Sequence, residues 1–159
     1  LAQKSASELL KERLEKALFN FRNKGITVRE ENGKVYVSME AQLLFASGKT
    51  EVNAEGKSAI IELARIIQTE KDLNIVVEGH TDTDKINSTS IPRDNWELSV
   101  LRATEVIKII TNNSSIDPMQ LSAAGRGEYH PLDPENKNAN RRIEIILEPN
   151  LKALYDIIE

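Results

Sequence analysis

The chain has 159 residues, a formal net charge of -4, 40% hydrophobic and 29% charged residues, and no cysteine. That length suits one domain with a real core. The acidic balance argues against a nucleic-acid partner, which needs cations to displace phosphate counterions, and the lack of cysteine removes disulfides, thiolate nucleophiles and thiolate metal sites.

No stretch approaches the roughly 20 apolar residues of a membrane span. The chain opens at Leu1, without a methionine or a signal peptide and in mid-pattern. It is therefore expected to be a piece of a longer protein whose targeting segment lies upstream.

Residues 1–24 read as a helix, with Leu10, Leu14, Ala17 and Phe21 at alternating spacings of four and three. Two readings stand side by side: the end of a coiled-coil spacer that pairs two chains into a homodimer, or an amphipathic helix packed on its own domain. Gly25 is the expected residue just past the helix end. Asn32-Gly33, between the alternating runs Ile26–Arg29 and Val35–Met39, predicts a two-residue hairpin. Leu43-Leu44-Phe45 reads as a short strand, followed by a loop at Ser47-Gly48-Lys49. Gly48-Lys49-Thr50 matches the tail of a phosphate-binding loop, but position 43, where that motif needs glycine, is Leu.

A helix is predicted over 54–71, with Ala59, Ile60, Leu63, Ala64, Ile66 and Ile67 on one face. Asn74–Glu78 reads as a strand buried on both faces. Residues 83–94 form a loop. Asp94 and Glu97 make a capping-box pattern for the next helix. There Val100, Ala103, Ile107 and Ile110 are the expected core stripe, with Asn95, Leu98 and Arg102 on a neighbouring edge and Arg102 facing sideways. Strands follow at Gln120–Ala124 and Arg142–Glu148, separated by an irregular loop. Leu151, Leu154, Tyr155 and Ile158 suggest a short final helix. Crossover helices between strands imply an α+β fold, a mixed sheet with helices packed on it.

The polar stretch Gly79–Asp84 follows directly on an apolar strand and precedes a helix start, the usual geometry of a site in an α/β domain. Three readings compete. His80, Asp82 and Asp84 alternate, so an extended backbone puts them on one face as metal ligands for a hydrolase; the only other histidine, His130, lies in a loop. Alternatively Asp82 braces a turn and Arg102 is a solvated helix residue. In the third reading Asp82 and Arg102 face each other across a cleft and hold a zwitterion, the carboxylate taking an ammonium and the guanidinium gripping a carboxylate. No nucleophile with a base is in view, so nothing supports catalysis.

Four blocks carry a resemblance: Val77–Asp82, Asn95–Ala103, Ala124–Gly127, and Pro131 with Asn140–Ile145. In this order they resemble the OmpA-like C-terminal domain family, which includes OmpA, the lipoprotein Pal and MotB. The Asn-Trp-Glu-Leu-Ser helix start and the long loop before it are closer to MotB-type and Bacteroidetes-type members than to Pal. The resemblance covers 43–148 and implies a βαβαββ sandwich, a domain over 26–149, and non-covalent binding of peptidoglycan through the diaminopimelate of its stem peptide.

On the matching positions, Asp82 would hold the ammonium and Arg102 the carboxylate. Thr81 and Asn95 would line the pocket, and Arg141 would contact ligand or brace Asp82. Neither a cofactor nor a metal is implied. The protein is expected in the periplasm, at the outer membrane or envelope of a Gram-negative bacterium, with a membrane anchor upstream. A polar rim contact that some members carry after Phe45 is not carried over to Ala46-Ser47-Gly48.

Overall fold

The computed structural model describes residues 4–149; the predicted helix after Pro149 lies outside the described residues. Five strands form one mixed sheet in the order β1-β2-β5-β3-β4: β1 (Ile26–Glu31), β2 (Lys34–Glu40), β3 (Leu73–His80), β4 (Leu121–Gly125) and β5 (Arg142–Pro149). β1 and β2 make the predicted hairpin. Its turn needs positive φ at both central residues, and Asn32 (φ 53°) and Gly33 (φ 80°) supply it.

β2 and β3 run in the same direction, since each is antiparallel to the β5 strand between them. β3 and β4 are parallel neighbours. Each parallel relation requires a crossover, and the helices α3 (Ala54–Ile67) and α4 (Asn95–Asn112) provide them. The βαβαββ core is thus β2-α3-β3-α4-β4-β5.

α1 (Ala6–Ala17), α3 and α4 cover one face of the sheet. Val35, Val37, Met39, Ile75, Val77, Ile143, Ile145 and Leu147 point into that layer, alternating along their strands as the pleat dictates. α3 buries Ala59, Ile60, Leu63, Ala64 and Ile67 as its periodicity predicts. In α1, Leu10 and Leu14 are buried in the same core, followed by Leu18, while Ala17 and Phe21 are half-buried. α1 thus packs as an amphipathic helix on its own domain. Pairing two chains along Leu10 and Leu14 would require breaking that packing.

Several local expectations are corrected. The first helix ends at Ala17 and is followed by a 3₁₀ turn at Phe19–Phe21. Gly25 (φ 93°) therefore serves the entry to β1, where its carbonyl accepts from Glu40 N at 2.8 Å. Ala41–Leu44 is a short helix, α2, rather than a strand, and Phe45 makes only an isolated bridge to Val52. β3 is fully buried on its helix-facing side; on the other face Asn74 is exposed, Val76 and Glu78 are half-exposed, and His80 at the strand end is buried.

In α4 the buried face is Asn95, Leu98, Ser99, Arg102, Ala103, Val106 and Ile110, whereas Val100 is 39% exposed. The helix is rotated from the predicted stripe because of what it rests on. Gly79 and Gly125 are partners across β3 and β4. A Cβ on Gly79 would stand 2.0 Å from the Ser99 carbonyl oxygen, and one on Gly125 would stand 2.8 Å from Ser99 Oγ. Two adjacent glycines let the helix backbone lie directly on the strand ends, and this contact turns Arg102 inward.

Candidate functional site

The loop leaving β3, the start of α4, the segment after α2 and the short helix α5 (Lys137–Asn140) enclose a cavity of about 290 Å³. Thr81, Asp82, Asn95, Arg102 and Arg141 all line it, so the five predicted site residues converge on one pocket. Phe45, Ser47, Gly48, Lys85 and Asn138 complete much of the rim. Ser47 and Gly48 place the loop after Phe45 at the pocket edge.

Each main residue is held by identifiable contacts. Asp94 caps α4 through Glu97 N at 2.8 Å, the forward half of the predicted capping box; the Glu97 carboxylate accepts instead from Arg93 N, one residue upstream, at 2.8 Å. Asn95 Nδ2 then donates to the carbonyls of Asp84 (3.1 Å) and Asp82 (3.4 Å) and fixes the loop. Thr81 Oγ1 donates to the Asp82 carbonyl at 2.9 Å, and Thr81 N donates to Gly127 O at 2.8 Å. Thr81 and Asn95 therefore shape the loop that carries Asp82. On the far side, Asn140 Oδ1 accepts from Leu132 N and Asp133 N at 2.8 and 3.0 Å, pinning the long loop before Arg141.

Arg102 is only 6% exposed. Its Nε donates to Lys49 O at 2.8 Å, its Nη2 reaches Ala46 O at 3.4 Å, and its guanidinium lies 4.6 Å over the Phe45 ring. Those partners are neutral. Among the described residues it has no carboxylate partner; burial pushes its pKa down to about 10, and the cationic Arg141 pushes the same way. The sideways placement of Arg102 is corrected, and the alternative in which it is a solvated helix residue gives way to a buried cation on an aromatic floor.

Asp82 is 5% exposed. Its Oδ1 accepts from Asp84 N at 2.9 Å. Arg141 Nε lies 2.9 Å from Oδ2, within ion-pair range, yet Oδ2 has no aligned hydrogen bond, because that N–H is directed at Lys137 O. Arg141 is thus an ion-pair partner of Asp82, and Oδ2 is buried without an aligned hydrogen-bond donor.

The alternating metal set is not assembled. His80 Nε2 pairs with Glu78 on the sheet face away from the helices, Asp82 turns into the pocket, and Asp84 is an exposed partner of Lys137 at 2.6 Å. No group of three or more His, Asp or Glu side chains is placed to share a metal ion among the described residues. Phe45 and the carbonyls of Ala46 and Lys49 escape sequence reasoning. Their signal is faint, since an aromatic under a buried arginine reads simply as core and carbonyls carry no sequence mark.

Residues 44–144 match the model of the OmpA family. Motility protein B of Bacillus subtilis is 30% identical over 117 residues, 71% of this chain and 44% of that protein. The chain spans about half the length of the curated relatives it matches. Among solved structures, a MotB-like protein from Desulfovibrio vulgaris superposes with a TM-score of 0.82 at 27% identity, covering 91% of this chain and 94% of that one. The cell wall anchor of the T6SS from Pseudomonas aeruginosa gives 0.76 at 25% identity, covering 87% and 99%. The chain belongs to the OmpA family, as an OmpA-like domain of the MotB type.

Proposed function

We propose that this domain binds peptidoglycan without covalent attachment or catalysis, and so anchors an envelope protein to the cell wall. The ligand group is the zwitterionic end of the stem peptide's diamino acid, diaminopimelate. Asp82 Oδ2 accepts from its ammonium, and Arg102 pairs with its carboxylate. Arg141 holds Asp82 in place, and Asn95 and Thr81 keep the loop rigid. Because peptidoglycan lies outside the cytoplasmic membrane, the domain works on that side, carried by an anchor elsewhere in the protein.

One observation carries this reading: a buried guanidinium without a carboxylate partner among the described residues shares a pocket with a buried carboxylate that has an unsatisfied oxygen. Buried charges are ordinarily paired and hydrogen-bonded. An ammonium and a carboxylate on one carbon would complete both groups at once. Likeness to a cell wall anchor supports the same reading.

Co-sedimentation with insoluble peptidoglycan tests it. Wild type should pellet, while Asp82→Ala and Arg102→Ala should stay in solution with unchanged circular dichroism. Pelleting of both variants to the wild-type extent would remove these residues from the interface.

A further inference from the structure

Trp96, the only tryptophan of the chain, stands on the first turn of α4 and is 53% exposed. Tyr129, in the loop after β4, is 61% exposed. The two rings stack on each other with centroids 5.3 Å apart and planes tilted by 32°. Gly127 lies against them, and its φ of 62° is a left-handed conformation that glycine adopts freely. The rings thus form a seated surface, open to solvent on its outer side.

Beside this pair runs a shallow groove of about 150 Å³, which Lys85 and Glu128 also line. The groove shares Lys85, Ile86 and Asn95 with the wall of the Asp82–Arg102 pocket. A ligand that fills the pocket and extends past Asn95 meets the aromatic pair next.

We infer that the Trp96–Tyr129 pair is a second subsite that stacks a sugar ring of the glycan strand, the amino sugar from which the stem peptide hangs. The inference rests on the pocket being the stem-peptide site. A pyranose ring carries C–H groups on its faces, which suit the electron-rich face of an aromatic ring, and hydroxyl and acetamido groups at its edge. Here the edge would meet the Glu128 carboxylate and the Lys85 ammonium, an acceptor and a donor. The same rim disfavours other occupants: Glu128 repels a phosphate chain, and a purely apolar partner would have to desolvate both charges.

Trp96 reports on its own contact. Two probes are titrated by calorimetry and tryptophan fluorescence: a disaccharide carrying a diaminopimelate stem peptide, and the same peptide without sugar. For wild type the sugar-bearing probe should bind about fivefold to tenfold tighter and should alone shift the emission. Trp96→Ala and Tyr129→Ala should erase that advantage and keep the affinity for the sugar-free peptide; Trp96→Phe should retain part of it. Equal affinity of wild type for the two probes, or equal weakening of both by Trp96→Ala, would overturn the subsite while leaving the pocket intact. Failure of wild type to bind either probe would overturn the pocket reading and the subsite with it.

Discussion

Two clusters of charged side chains flank the same strands, buried to a similar depth, and they behave differently. On the sheet face away from the helices, Glu144 (3% exposed) sits between Arg142 (5% exposed) and Arg29, each at 3.2 Å. Beside them Glu78 takes His80 at 3.2 Å and Arg126 at 3.3 Å. Arg142 also donates to the carbonyls of Asn140 (3.2 Å) and His130 (3.1 Å). The charges of this cluster pair inside the chain, although His80 Nδ1 has no hydrogen-bond partner. At the end of β3, Asp82 and Arg102 are withdrawn from water just as far; Asp82 pairs with Arg141 at 2.9 Å without an aligned hydrogen bond to Oδ2, and Arg102 meets only carbonyls and no carboxylate among the described residues. Burial of charge does not by itself mark a binding site; a buried cation that lines a pocket without an anionic partner points to one.

The sharpest way to break the comparison is to remove the centre of the self-paired cluster. Glu144→Ala leaves Arg142 buried without its carboxylate and should cost about 3–5 kcal/mol in urea unfolding. Gly79→Ala attacks the contact that turns α4 toward the pocket. With a Cβ placed 2.0 Å from the Ser99 carbonyl, the helix must move, at roughly 3 kcal/mol, and pocket binding should fall with it. Arg102→Met should do the reverse of Glu144→Ala: stability stays within about 1 kcal/mol, because a buried unpaired charge is exchanged for an apolar chain. Its affinity for the wall peptide should fall by about 2–3 kcal/mol, roughly 30- to 150-fold.

The smallest effect is on pH dependence. The hydrogen bond from His80, then the charge of Arg126, holds the Glu78 carboxyl below its ordinary value of 4.5. A depressed folded-state pKa adds stability that is present above pH 4.5 and lost as the pH falls through the lower folded value. Glu78→Gln should therefore lower stability at neutral pH by about 1 kcal/mol or less and leave it unchanged at low pH, which flattens the acid limb of the stability curve.

Much of the fold and of the pocket is legible in the residues themselves. Asn32-Gly33 specifies its turn because few residue pairs accept positive φ twice. The α3 stripe follows from its period, and the Asp82 and Arg102 blocks point to one junction. Spacing alone cannot give the rotation of α4. A helical wheel says which residues share a face but not which face meets the sheet; that is decided by Gly79 and Gly125 in register, a pairing visible only once β3 and β4 are parallel neighbours. For the same reason spacing misplaces Val100 and turns Arg102 sideways. The Asn140-Arg141-Arg142 motif reads as a single unit, but the pleat sends Arg141 to Asp82 in the pocket and Arg142 to Glu144 on the opposite face. Leu43–Phe45 reads as a strand by composition alone; Ala41–Leu44 forms a helical turn instead, and that turn brings Phe45 beneath Arg102.

The most direct test of the central claim, that the pocket reads an ammonium and a carboxylate together, is a calorimetric titration of two stem tetrapeptides that differ only at the third residue. With diaminopimelate the side chain ends in both charges; with lysine it ends in the ammonium alone. The paired site predicts that the lysine peptide binds at least about tenfold more weakly, and that Arg102→Met lowers the diaminopimelate peptide to the same level. Equal affinity of the wild-type domain for the two peptides would contradict it.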